Sequence, residues 1–162
     1  MDAVLLDTDV FSYLLKDDAR ADPYRQHVRN RTVAVSFVTV GELLACAEKK
    51  SWGPAKREQL ETKLRSVVIV PFDLEICRVY GRLSCLKTES GGDRIIAVND
   101  RWIAACAIRH DLKLISNNRR HFEGIPGLTL ISEAPLPRKP ADQPLPLASE
   151  KPGAKPQKTE AP

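Results

Sequence analysis

Asp7, Asp9, Glu42 and Asp100 are the residues whose types and neighbours point to chemistry. Each is an acid set beside an apolar run rather than inside a charged stretch. Asp7 closes Val4-Leu5-Leu6, Glu42 follows Val33–Phe37 by a few residues, and Asp100 opens the apolar Trp102–Ile108. Asn117 and Asn118 follow a similar run, Leu112–Ser116. Carboxylates gathered in one place repel one another unless a cation lies between them. Oxygen ligands of this kind suit Mg²⁺ or Mn²⁺, with water completing the octahedron. Such a centre activates water and stabilises charge on a phosphate in transfer. Each acid also has a purely structural use. Asp7 and Asp9 could cap a helix, Thr39 and Glu42 have capping-box spacing, and Asp100 suits the positive end of a helix. No Ser–His or Cys–His pair offers nucleophilic catalysis, and His27, His110 and His121 stand in polar stretches expected at the surface.

The elements that would position these acids alternate. Val4–Leu6, Val33–Phe37, Val67–Val70, Leu112–Ser116 and Leu128–Ile131 read as short strands without polar alternation, the pattern of strands covered on both faces. Between them lie helical segments. These are Val10–Leu15, a short helix from Pro23 to about Arg29, Leu43 to Lys50, and Ala55 to Arg65. A longer one capped by Asp73 has its apolar stripe at Ile76, Val79, Tyr80, Leu83 and Leu86 and ends at Gly91-Gly92. The last, capped by Asn99, runs from Asp100 to about His110. Strand–helix alternation implies an α/β fold with a mostly parallel sheet and helices on both faces. In a parallel sheet the carboxyl ends of the strands share one edge, so Asp7, Glu42 and Asn118 should converge there. Asp100 joins them if its helix points its N-terminus at that edge.

A chain of 162 residues that is 43% hydrophobic suits one domain with one core. No apolar run approaches the roughly 18 residues that span a membrane. The first strand begins almost at the N-terminus and leaves no room for a signal peptide, so a cytoplasmic protein is expected. Cys46, Cys77, Cys85 and Cys106 lack CxxC spacing and read as buried, reduced thiols. The net charge of +4 does not by itself announce nucleic-acid binding. From residue 134 the character changes. Eight of the 12 prolines fall between Pro135 and Pro162, among Lys, Gln and Ala. Residues 134–162 therefore read as a disordered Pro/Lys-rich tail beside a domain of residues 1–133.

Four blocks together resemble a PIN domain, and closely the VapC-type toxins of bacterial toxin–antitoxin pairs. They are Leu5-Leu6-Asp7-Thr8-Asp9-Val10, Val38-Thr39-Val40-Gly41-Glu42-Leu43, Asn99–Ala107, and Leu114–Phe122 with its continuation Gly124–Leu128. The resemblance covers residues 1 to about 133. It implies a PIN-like three-layer α/β/α fold with a sheet of about five strands. It further implies a Mg²⁺-dependent endoribonuclease, commonly dimeric, neutralised by a small antitoxin. By the same resemblance Asp7 and Asp100 are the main metal ligands, and Glu42 binds metal or orients the attacking water. Asn118 falls on the fourth acidic position, where its carbonyl oxygen can still serve. Some toxins of this type carry an acid shortly after it, where this chain has His121.

Arg94, Arg101, Arg119 and Arg120 flank the acidic blocks and could hold RNA phosphates. Phe11, Tyr13 and Phe122 read as core aromatics, while apolar surface around Tyr13 and Leu44 could receive a second copy or an antitoxin. Two other readings remain at this point. One is a haloacid-dehalogenase-like phosphatase with Asp7 as nucleophile and Asp9 as general acid; the other is an interaction domain on a catalytically inactive PIN scaffold. The tail lacks a core-forming pattern. Removing Pro137–Pro162 should therefore leave the thermal unfolding midpoint nearly unchanged, which a melting curve checks.

Overall fold

A computed structural model describes residues 2–87, 91–92 and 94–135; of the tail expected at 134–162, all but residues 134 and 135 lie outside them. Strand β1 (Ala3–Leu6) is apolar throughout because it is the middle of the sheet and covered on both sides. It pairs in parallel with β2 (Thr32–Ser36) and with β4 (Lys113–Ile115). Outside these lie β3 (Val68–Val70) and β5 (Leu130–Ile131), also parallel, giving the order β3-β2-β1-β4-β5. The helices are α1 (Thr8–Leu15), α2 (Asp22–Val28), α3 (Phe37–Lys49), α4 (Pro54–Arg65), α5 (Leu74–Ser84), α6 (Val98–Arg109) and α7 (Arg119–Phe122), with a 3₁₀ turn at Ala19–Ala21.

Successive strand residues point to opposite faces, and each face has its own core. Leu5, Ala34 and Leu114 pack with Ile76, Val79 and Leu83 of α5 and Ile103–Ala107 of α6. Val4, Leu6, Val35 and Ile115 pack with Val10 and Phe11 of α1, Tyr24 of α2, Leu43 and Ala47 of α3, and Leu60 and Leu64 of α4. This is a three-layer α/β/α sandwich of the expected kind. The even apolarity of α6 is explained by its place, since Ile103 to Ala107 are all 1% exposed or less.

The structure moves several boundaries. Phe37 opens α3 instead of ending β2, and the cap of α3 is Ser36, whose Oγ accepts from the Thr39 amide at 3.0 Å. Thr39 is thus inside the helix, and the capping box expected of Thr39 and Glu42 does not form. Helix α5 stops at Ser84, well before Gly91. Helix α6 starts at Val98 after Ala97, so Asn99 is not its cap. Short α7, which follows Asn118, gave no periodic signal because a single turn is too brief to show one. Of the four free thiols only Cys106 is buried, and burial pushes it up to about 12; Cys85 is exposed. Phe11 and Phe122 are core residues as expected, whereas Tyr13 is half-buried under the Arg20 guanidinium. Among the described residues no helix is long and apolar enough to cross a membrane.

Because Ser36 is the side chain that turns β2 into α3, Ser36→Ala should cost about 0.5–2 kcal/mol, as loss of an N-cap does. Urea unfolding measures it; an unchanged midpoint would contradict the assignment.

Candidate active site

The chain builds β1, β2 and β3 outward in one direction, then crosses back to lay β4 and β5 on the other side of β1. The order therefore reverses between β1 and β4, and open α/β sheets bind ligands in the crevice outside such a switch point. Asp7 closes β1 there, and Ser116 closes β4. The Asp7 amide donates to the Ile115 carbonyl at 3.0 Å, which carries the pairing of the two strands one residue past the sheet. The Ser116 hydroxyl donates to Asp7 Oδ2 at 2.6 Å, and the Thr8 amide to Asp7 Oδ1 at 2.7 Å. Asp7 does precede α1 as its cap residue. A cap, however, accepts from the second or third helical amide, and Asp7 accepts from the first. Its carboxylate is aimed at the switch point.

Asp7 is only 6% exposed. Burial, helped by the charges of Asp9 and Asp100, pushes its carboxyl up to about 7 against the hydrogen bonds from Ser116 and Thr8. Asp9 is raised as well, chiefly by burial and also by Asp100, while the amides of Val10 and Asn117 pull it back. Asp7 after β1, Asp9 in α1 and Asp100 in α6 are thus near enough for their charges to act on one another. Asp9 belongs with them, although the sequence offered it equally as a cap.

Asp100, in the first turn of α6, is bonded to His121 of α7, Nδ1 to Oδ2 at 2.6 Å. The same Nδ1 lies 2.6 Å from the Asn118 side-chain nitrogen. One ring nitrogen either donates or accepts. Carrying a proton it serves Asp100; without one it takes the Asn118 amide hydrogen and releases the Asp100 oxygen. The expectation that His121 lies on the surface is thereby corrected: it is half-buried in the site. The polar run Asn117–His121 hid this, since only the fold shows that α7 sits against α6.

Glu42 stands at the margin of the cluster. It accepts from the Thr8 hydroxyl and, at 2.6 Å, from Asn99 Nδ2. Thr8 and Asn99 were not foreseen as site residues, though both adjoin acids that were. Glu42 and Asn99 line a cleft of about 660 Å³ together with Lys49, the last residue of α3, and Lys50 just after it. The four flanking arginines divide. Arg94 donates to the Glu123 and Gly124 carbonyls, Arg101 to Tyr80, Ser84 and the Ile96 carbonyl, and Arg119 to the Ser132 and Ala134 carbonyls. Arg120 is exposed and has no ion pair or side-chain hydrogen bond among the described residues.

The donor set fits a hard divalent cation in its chemistry: the buried Asp7 carboxylate, the Asp9 and Asp100 carboxylates whose charges act on it, and the Asn118 amide beside His121. As the side chains stand, no three His, Cys, Asp or Glu among the described residues form a metal-holding group. Glu42 is turned to Thr8 and Asn99, and Asp100 to His121, so both would exchange these bonds for a cation.

Residues 4–128 match the PIN domain family. The chain belongs to it. It is 28% identical over 130 residues to the ribonuclease VapC2 of Rickettsia felis, covering 78% of this chain and 94% of that one. It is 30% identical over 130 residues to a ribonuclease VapC1 of Haemophilus influenzae, covering 76% and 92%. The solved VapBC2 complex of Rickettsia felis, bound to a promoter DNA fragment, contains a chain with TM-score 0.68 and 26% identity, covering 80% of this chain and 98% of that one. The PIN match runs through all four blocks that carried the resemblance, and the haloacid-dehalogenase-like reading falls with it.

The raised Asp7 makes metal-free stability pH-dependent. In the folded chain Asp7 keeps its proton up to about pH 7, against an ordinary value of 3.8. The folded state therefore binds the extra proton between these values. The stability from this group is fully present below pH 3.8 and is lost as pH rises through 7. A shift of this size corresponds to about 4 kcal/mol. Asp7→Asn should remove that decline, so the variant gains on the unaltered chain as pH rises from about 4 to about 8. Denaturant midpoints in metal-free buffer measure the difference; a gap that stays constant with pH would contradict it.

Proposed function

We propose that this chain is a divalent-metal-dependent endoribonuclease and the toxin of a toxin–antitoxin pair, acting in the cytoplasm. The observation that carries the reading is the crowding of Asp7 with Asp9 and Asp100 at the switch point, in a PIN domain similar to proteins named ribonuclease VapC. An antitoxin partner is supported by the likeness to a toxin solved in its VapBC complex. A homodimer is proposed on the same likeness, and exposed Leu44 offers apolar surface for either association.

Asp7 and Asp100 would hold the Mg²⁺ or Mn²⁺ ion, with Glu42 as a third ligand or as the residue that orients water. The ion supplies positive charge that offsets the carboxylates and the phosphodiester and makes water easier to deprotonate. Glu42, released from Thr8 and Asn99, accepts the proton of the attacking water. Ser116 and the Thr8 amide fix the Asp7 carboxylate, which needs no rearrangement to serve. His121 governs whether the Asp100 oxygen is free, and the Asn118 carbonyl orients water where an acid would otherwise stand. Exposed Arg120 and the lysines of the Glu42 cleft would meet RNA phosphates.

Purified unaltered chain should cut single-stranded RNA with Mg²⁺, Asp100→Asn should abolish cleavage, and Glu42→Gln should lose roughly 10²–10⁴-fold in rate. Mg²⁺ should also raise the melting temperature of the unaltered chain. At 100 times the dissociation constant the gain is about 2.7 kcal/mol, and Asp7→Asn and Asp100→Asn should lose most of it. Equal Mg²⁺ shifts in all three proteins, with no cleavage by any, would contradict the proposal and point to a non-catalytic PIN scaffold.

A further inference from the structure

We infer that the cleft along α3 beside Glu42 is a nucleotide subsite. It takes the base and sugar next to the phosphate to be cut, and Lys49 and Lys50 hold the following phosphate of the strand. This rests on the ribonuclease reading above. Val38, Gly41, Glu42, Ala45, Cys46 and Lys49 recur at intervals of three and four residues, so they share one face of α3, and all of them line the cleft. The buried residues of the helix, Thr39, Leu43 and Ala47, are turned away from it. At about 660 Å³ the cleft falls within the roughly 300–1,000 Å³ of sites that hold a small ligand. It is continuous with the acid cluster. The Thr8 amide donates to Asp7 while the Thr8 hydroxyl donates to Glu42, and Asn99, next to Asp100 on α6, donates to Glu42 at 2.6 Å.

The chemistry of the lining follows the order of a nucleotide chain. Glu42 is its only acid, and Phe37 and Val38, half-buried against the core, give it an apolar wall. Lys49 comes two helical turns after Glu42, about 10 Å along the axis, and Lys50 follows it. Neither lysine has an ion pair among the described residues. A strand whose scissile phosphate lies at the acids would set the neighbouring nucleoside on the apolar stretch and its next phosphate on the two ammonium groups. Between Glu42 and Lys49 the lining is Ala45 and Cys46, which offer no strong hydrogen-bonding group. The subsite therefore accepts a base by its apolar face and does not read which base it is. Gly41 keeps it open. Glycine inside a helix costs stability relative to alanine. Here φ is not positive, and a Cβ built on Gly41 would meet nothing within 4 Å. Neither the backbone nor internal packing calls for a glycine, and the room a side chain would take is the room beside Glu42.

The test sets the unaltered full chain against Gly41→Leu, Gly41→Ala and a chain carrying both Lys49→Gln and Lys50→Gln. The probe is a short fluorescein-labelled single-stranded RNA of mixed sequence, cleaved with Mg²⁺ and bound without it across a salt series. Leucine is a good helix former, so Gly41→Leu should fold and keep the Mg²⁺-induced rise in melting temperature. Its KM should increase about 10-fold or more, as when a pocket loses the room for part of its ligand, and that of Gly41→Ala should increase less. The lysine variant should have a raised KM and a log–log salt slope shallower by roughly 0.7 for each phosphate it no longer neutralises. An unchanged KM in folded Gly41→Leu, or an unchanged slope in the lysine variant, overturns the subsite and leaves the ribonuclease reading standing. A Gly41→Leu chain that keeps its KM but changes its mass by light scattering also overturns it, because a second copy would then occupy this face. If Gly41→Leu does not fold, Gly41→Ala and the lysine variant decide by the same readings. RNA neither cut nor bound by any of the chains, the unaltered one included, overturns both.

Discussion

Asp7 is held where a carboxylate is least at ease. It ends a strand that is buried on both faces, it is itself nearly inaccessible, and two further acids face it. A proton at neutral pH relieves this, and so does a cation. The protein stabilises the geometry without neutralising the charge: Ser116 and the Thr8 amide donate to the carboxylate, yet no Lys or Arg pairs with it among the described residues. A carboxylate kept buried, hydrogen-bonded and unpaired with a base is disposed to take a divalent ion.

The sheet makes this strain possible. Parallel strands put all their carboxyl ends on one edge, and the reversal of strand order between β1 and β4 leaves a crevice there. The apolar cores on the two faces hold β1, and the Ile115 carbonyl, Ser116 and the Thr8 amide hold Asp7 at its end. Helix α6, buried along Ile103–Ala107, brings the Asp100 end of its first turn to the same edge. The side chains around the acids then divide into those already set on Asp7, Ser116 and the Thr8 amide, and those that a bound cation would have to release. Glu42 and Asp100 are of the second kind, Glu42 bonded to Thr8 and Asn99 and Asp100 to His121.

Much of this was legible in the sequence. Runs without polar alternation identify strands covered on both faces, and their alternation with helices dictates a parallel sheet, which alone places Asp7 and the Asn117-Asn118 turn together. What could not be read was tertiary in origin. Ser36 caps α3 because the chain bends there, while Thr39 and Glu42 three residues apart mimic a capping box that the bend excludes. His121 sits in a polar run that looks solvated, and only the packing of α7 on α6 turns it toward Asp100. The arginines beside the acids resemble phosphate ligands in sequence, but three of them hold loops through backbone carbonyls, contacts that no side-chain pattern encodes.

The central claim is that the acids gathered around Asp7 cut RNA. Sequencing RNA 5′ ends after brief expression, with the unaltered chain set against Asp7→Ala, addresses it most directly. Discrete new ends with the unaltered chain, absent from Asp7→Ala at equal protein level, are the predicted result. The same ends in both, or none in either, would contradict the claim.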